Sequence, residues 1–563
     1  MFRKNIIWII LLGIVFVAGF LRFYRIDQIP VSLYWDETAS TYNAYSIAQT
    51  GKDEYGSAFP LLFRSFNDYK MSGNIYLTAA ATKIFGVNEF SARFTSAFFG
   101  TLTVLLTFFL VRSLLAMQLV NEKQKSHFLV MHADSIALLS AGLLAISPWH
   151  IQFSRTGFEA NVALFFVVAG VFLFLKGLKK NAWFFASIIV FSFSFYVYRS
   201  IFVFLPPLIL GLLVIFRKES FTKENLKRNI IGSILFIILA APIFYASFSP
   251  KGLARVQQVN VFTHSSQEVA SSMALARNSG NITLSRFYYN KPVIYGIKIL
   301  DNYLVHFGPR FLFVAGDTST GRHGVNGMGE LYIWELPFFI LGILMVFRLK
   351  TKAKYVFFLW LLLGPVPSAF SVPSPHALRS LNMLPMPQFF TAVGILFIWS
   401  KLSKNKKLIY GAILSIFVIF FFSRYLFLYY TVDAQTDSPD WADGYKQLTQ
   451  YVFAHEKNYD KVLVTGHYWQ PYVYFLFYKK YDPALFQKNP DKLHFDHYVF
   501  GGTSWDKEQT GFELDHVDLK KYANGNHLLV ALSPDEYKSH PELRKLTEVR
   551  NHNNELVFIV GEL

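Results

Sequence analysis

The chain has 563 residues and no cysteine. A disulfide framework, a thiolate metal site and a catalytic thiol are therefore excluded. Charge is also scarce. Asp, Glu, Lys and Arg make up 16% of the residues, against roughly 25% in an average soluble domain. The HExxH, Walker and GxSxG patterns are missing, so zincin, ATPase and serine-hydrolase readings have no basis. No repeat of solenoid type occurs. What fills the chain instead is apolar: 53% hydrophobic residues and 18% aromatic ones, with 60 Phe. This composition excludes a disordered chain and argues against an ordinary water-soluble enzyme.

A membrane-spanning helix needs about 20 apolar residues. Runs of that kind lie at 6–24, 93–111, 134–149, 159–175, 182–198, 201–216, 230–247, 331–347, 355–371, 384–400 and 408–430. They predict a polytopic α-helical membrane protein of about 11 spans. The first run follows Arg3 and Lys4 and continues to Leu21 without a clean small-residue cleavage site, so it reads as a retained anchor. The run 74–86 is only 13 residues long and contains Lys83. It reads as a helix lying in the outer interface.

With the N-terminus placed inside, every basic short connection falls on one side. The inside segments carry 21 Lys+Arg and three acids. The net charge of +17 is then a topology signal, and a nucleic-acid partner has no support. The expectation is a multi-pass protein of the cell membrane with a cytoplasmic N-terminus. Residues 1–430 form the transmembrane domain, with outer loops 25–92 and 248–330. Residues 431–563 form a small extracytoplasmic α/β domain, from runs such as KVLVTG, HLLVAL and ELVFIVG. That tail holds 14 Lys+Arg and 20 Asp+Glu, a net of −6.

The outer loops hold the residues suited to chemistry. Tyr34-Trp35-Asp36-Glu37 places two carboxylates just past the first span. Asp36 fits a general base, and it also fits an N-cap for the following helix, with Glu37 complementing the dipole. Asp68-Tyr69-Lys70 follows, and Arg93 sits at the outer end of the second span. Lys70 and Arg93 suit a phosphate, one as a point charge and one as a fork, while Arg93 also fits snorkelling to headgroups. Arg155 lies one helical turn before Glu159, which opens a span; the two fit a structural pair or substrate contacts. Pro375-His376-Ala377-Leu378-Arg379 and the Gly-rich segment with Asp317, Arg322 and His323 complete the outer set. His150, His323 and His376 are candidate ligands for a divalent cation, although a lone histidine more often has a structural role.

The order of these motifs resembles a known family. One span is followed by WDE, TGKDEYGSAFP, DYK and FGVNEFSARF, and then by a helix bundle and an outer C-terminal domain. This is similar to the GT-C glycosyltransferases, in the protein O-mannosyltransferase and aminoarabinose transferase branch. SPWHIQFSR and PHALR extend the likeness. The resemblance implies a polyprenyl-phosphate sugar donor, with Asp36 as catalytic base and Glu37 as its acidic neighbour. It implies Lys70 and Arg93 at the donor phosphate and Glu159 near the active site; Arg379 is expected to help at the phosphate, and Asp68, Arg155, Glu159 and His376 to bind substrate. Tyr69 stands where aminoarabinose transferases have a glutamate, which argues against a metal site of their type. The double-Trp acidic motif of oligosaccharyltransferases is missing, which argues against en bloc oligosaccharide transfer. The expected activity is transfer of one hexosyl or pentosyl unit, mannosyltransferase-like, to a hydroxyl on a protein, lipid or cell-envelope glycan. No cofactor is required, with a divalent cation as an option. A lipid-linked sugar flippase or transporter is the alternative.

Overall fold

A computed structural model describes residues 2–66, 68–117, 127–278, 282–349, 351–501 and 514–563. Asn67, beside Asp68, lies outside the described residues, as do Glu122 and Lys350 of the inside loops. The chain divides into two compact units. The first comprises Met1–Tyr24, Ser96–Ser154 and Phe158–Leu428. The second comprises Arg25–Thr95, Arg155–Gly157 and Tyr429–Leu563. Most of residues 25–92 thus cluster with residues 429–563.

The first unit is helical. Each of the eleven apolar runs forms helix, yet among the described residues five helices are long and apolar enough to span, or six with the bent pair Ala133–Ala145 and Pro148–Ser154 counted as one. The expected count of eleven is therefore not met by length and composition. The reason is geometric: Ile201–Ile215 has 15 residues, about 22 Å at 1.5 Å per residue, short of the roughly 30 Å hydrocarbon core. Helices Asn181–Val197 and Ile333–Phe347 are shorter than 18 residues as well. Apolar side chains cover outer faces of the long helices, including Ile9, Leu12 and Phe16 on the first and Leu408, Ile416 and Ile419 on Lys404–Phe427. Apolar surface of that extent requires a lipid environment, and the protein is a multi-pass membrane protein. Helices Leu336–Phe347 and Met386–Lys401 meet through Gly342 and Gly394. A Cβ on either would lie 2.0 Å or less from a backbone oxygen of the other helix, so only glycine permits this approach. The outer loop 248–330 is not irregular: it carries helices Pro250–Val259, Ser266–Arg277 and Lys291–Leu304.

The second unit is mixed. Strands β1 (Leu62–Ser65) and β2 (Asp68–Met71) form a hairpin that leads into helix Ser72–Phe85. At 14 residues this helix is about 21 Å long, too short to span, in keeping with the reading of 74–86. The tail adds β3 (Lys461–Val464), β4 (His494–Phe495), β5 (Tyr498–Phe500), β6 (Leu528–Leu532), β7 (Arg544–Arg550) and β8 (Leu556–Glu562). They form one sheet of order β4-β5-β3-β6-β8-β7, parallel at β5-β3-β6 and antiparallel elsewhere. The three runs read as strands from the sequence are β3, β6 and β8. Helix Pro471–Tyr478 makes the crossover after β3 and is buried along Pro471–Phe477. Helix Trp35–Thr50 from the first loop packs on the same core through Ala39 and Tyr42. Tyr42 donates to Tyr481 O at 3.1 Å, and Gln487 donates to Ser46 Oγ, Thr50 Oγ1 and Asp53 O, each at 2.9 Å.

Candidate active site

The second unit gathers Asp36, Glu37, Lys70 and Arg93 at the start of helix Trp35–Thr50. The helix begins two residues earlier than a cap at Asp36 would require. Tyr34 holds the N-cap position, Asp36 lies in the first turn, and Glu37 Oε2 accepts the Tyr34 N–H at 3.0 Å. Glu37 therefore closes the helix end, which frees Asp36 from that task.

Lys70 comes from β2, where it pairs with Phe63 of β1. Phe63 is fully buried and pins the hairpin. Lys70 Nζ lies 2.7 Å from Asp36 Oδ1 and also donates to Asp36 O at 2.9 Å and to Ser40 Oγ at 3.3 Å. The Asp36 side chain is 38% exposed and that of Lys70 14%. The pair is thus fixed at one end and open to a substrate at the other. Asp68, two residues before Lys70, lies on the same face of the strand and accepts the Tyr69 N–H at 2.6 Å.

Glu37 and Arg93 make a different kind of pair. Both side chains have no exposed surface, and Arg93 Nε meets Glu37 Oε1 at 3.2 Å. Arg93 Nη1 donates to Ile26 O and Pro30 O at 2.9 and 2.8 Å, and Nη2 donates to Ser32 O at 2.5 Å. The guanidinium expected at a phosphate is enclosed by the chain's own oxygens. Glu37 Oε1 also accepts the Gly157 N–H at 2.6 Å. A Cβ on Gly157 would sit 3.2 Å from Glu37 Cγ and 3.0 Å from Ala92 O, so the N–H reaches the carboxylate because the residue is glycine. Arg155 donates to Tyr429 Oη at 3.1 Å and to Ile29 O at 2.9 Å. It belongs to this unit, whereas Glu159, its expected partner, opens helix Glu159–Gly177 of the other.

Glu54 carries no expectation from the sequence, although it stands in the quoted TGKDEYGSAFP loop. It is fully buried. Burial pushes its carboxyl up to about 7, against the opposing charges of Lys492 and Lys70. A buried acid is not recognisable from a run of polar residues; only the packing of Tyr472 and Tyr55 around it makes it one.

In the first unit, Arg379 donates to Ser371 Oγ at 2.9 Å and Val372 O at 3.0 Å. Arg379 and Glu159 both act electrostatically on Tyr198, which the sequence did not single out. His376 is buried beside Asp317, with Nδ1 3.7 Å from Asp317 Oδ2.

Residues 12–251 match the family described as Dolichyl-phosphate-mannose-protein mannosyltransferase. No curated relative matches in sequence. Among solved structures, ArnT from Cupriavidus metallidurans bound to undecaprenyl phosphate aligns with a TM-score of 0.55 at 11% identity, over 99% of this chain and 97% of that one. The archaeal oligosaccharyltransferase AglB from Archaeoglobus fulgidus, in complex with an inhibitory peptide and a dolichol-phosphate, aligns with a TM-score of 0.52 at 11% identity. That alignment covers 94% of this chain and 70% of that one. The fold is that of the GT-C class of multi-pass membrane proteins, joined to a small α/β region.

Proposed function

We propose that the chain moves one monosaccharide from a polyprenyl-phosphate-linked donor to an acceptor hydroxyl on the extracytoplasmic face of the cell membrane. The observation that carries this reading is the half-open Asp36–Lys70 pair. Asp36 takes the proton of the acceptor hydroxyl as its oxygen attacks the anomeric carbon. The bond from that carbon to the phosphate oxygen breaks through an oxocarbenium-like state, and polyprenyl phosphate leaves. Lys70 offsets the charge that develops on the departing phosphate. A single displacement inverts the anomeric configuration.

Glu37 and Arg93 are positioning residues in this scheme: their buried pair fixes the helix start that presents Asp36. Asp68 and Arg155 are assigned to substrate contacts within the same unit. The donor class is supported by the family description, which names dolichyl-phosphate-mannose, and by the lipid phosphates bound to ArnT and AglB. The same description favours a protein acceptor over a lipid or glycan one and mannose among hexosyl and pentosyl units. The orientation, with the N-terminus cytoplasmic and residues 431–563 outside, is supported by the 21 Lys+Arg against three acids in the assigned inside segments. The reaction as written uses Asp36 and Lys70 without a cofactor.

Purified protein in proteoliposomes, given radiolabelled polyprenyl-phosphate mannose and a Ser/Thr peptide, is expected to release polyprenyl phosphate and to form an inverted glycoside. Movement of intact donor between leaflets without glycoside formation would favour a flippase instead.

A further inference from the structure

Three side chains of the first unit converge outside the proposed catalytic pair. Asp317 and His323 come from the Gly-rich segment, and His376 comes from the PHALR segment. One ligand atom from each can be chosen so that all three lie within 4.8 Å of one another. The Nδ1 atoms of His323 and His376 stand 3.0 and 3.7 Å from the same oxygen, Asp317 Oδ2. Around a tetrahedral ion with bonds of about 2.0–2.1 Å, ligand atoms are about 3.4 Å apart. The two measured distances bracket that spacing.

A hydrogen bond accounts for His323 but not for His376. The His376 residue is 5% exposed, and among the described residues its Nδ1 has no hydrogen-bond partner. At 3.7 Å from Asp317 it is too far to donate, so a buried polar atom is aimed at a carboxylate and left unsatisfied.

The surroundings fix this geometry. Asp317 Oδ2 accepts the Ala377 N–H at 2.9 Å, and the Ser319 N–H donates to Oδ1 at 2.9 Å. His306 accepts the His376 N–H on Nε2 at 3.1 Å, and its Nδ1 meets Asn302 O at 2.7 Å. Glu330 Oε1 accepts the Asp317 N–H at 3.0 Å. One carboxylate, two imidazoles and the nearby Arg379 make a poor site for Mg²⁺ or Ca²⁺, which favour oxygen-rich shells. They suit a borderline ion that takes nitrogen donors. His150, the third histidine singled out in the sequence, is engaged elsewhere: Arg22 Nη2 meets its Nδ1 at 2.6 Å.

We propose that Asp317, His323 and His376 bind a divalent transition-metal ion of the Zn²⁺ class and tie the 316–330 segment to the 371–380 segment. A water completes the fourth position from the side of His323, the more exposed of the two histidines. Neither ligand set nor test depends on the transfer reaction.

Full-length protein in detergent, stripped with a chelator and titrated with Co²⁺, provides the test. The expected result is about one Co²⁺ per chain with the visible bands of a tetrahedral-type site, bleached by Zn²⁺. His376→Gln and Asp317→Asn should weaken Co²⁺ binding by at least about tenfold. Zn²⁺ should raise the melting temperature of the wild type more than that of either variant. A wild type that shows no such bands overturns the proposal, with no variant needed. Equal binding by folded His376→Gln protein, judged by its elution and melting profiles, overturns it as well.

Discussion

Asp36 and Glu37 are adjacent in the chain and occupy opposite environments. Asp36 is 38% exposed and paired with Lys70, which keeps part of its own surface. Glu37 is sealed with Arg93, and both are held by backbone groups of residues 26–34 and 157. A buried pair contributes little net stability over an apolar replacement, yet breaking it leaves a charge stranded. Such a pair fixes geometry. A half-open pair can exchange its partner for a substrate. The two acids thus divide the work: one holds the helix start and the other is presented by it.

This division is open to attack at several points. Arg93→Met strands the Glu37 carboxylate and three backbone carbonyls, and it should cost about 3–5 kcal/mol in unfolding measurements. Arg93→Lys should recover little, because one ammonium cannot reproduce a fork that serves Glu37, Ile26, Pro30 and Ser32. Lys70→Met should leave melting nearly unchanged, since its pair is partly solvated, but slow transfer by about 10²–10³-fold. Comparable melting losses from Lys70→Met and Arg93→Met would erase the distinction. Gly157→Ala pushes a methyl toward Glu37 and Ala92 and should cost about 1–3 kcal/mol, with transfer falling as Glu37 shifts.

The smallest effect concerns Glu54. Its folded carboxyl stands at about 7 against an ordinary 4.5, so the folded state binds the extra proton between those values. Stability should fall as pH rises through that window, and Glu54→Gln should flatten the melting-temperature profile there. An unchanged profile in the variant would remove Glu54 from the account.

Local features were legible in the sequence. All eleven apolar runs are helical, and β3, β6 and β8 lie where KVLVTG, HLLVAL and ELVFIVG indicate. Strands β4 and β5 escape notice because they are two and three residues long. Strand β7 (RKLTEVR) escapes because only Val549 in it is buried. At the site, Asp36 and Lys70 were singled out from residue type and loop position. The enclosure of Glu37 was not, because its partners lie 56 and 120 positions away in Arg93 and Gly157. Nor was the burial of Glu54, which depends on Tyr472 from the tail.

The central claim is that Asp36, and not its neighbour, removes the acceptor proton. The most direct measurement is the transfer rate of Asp36→Asn from polyprenyl-phosphate mannose, at matched membrane insertion and melting temperature. The account predicts a loss of at least about 10²-fold with the fold intact. Transfer by Asp36→Asn at the wild-type rate would contradict it.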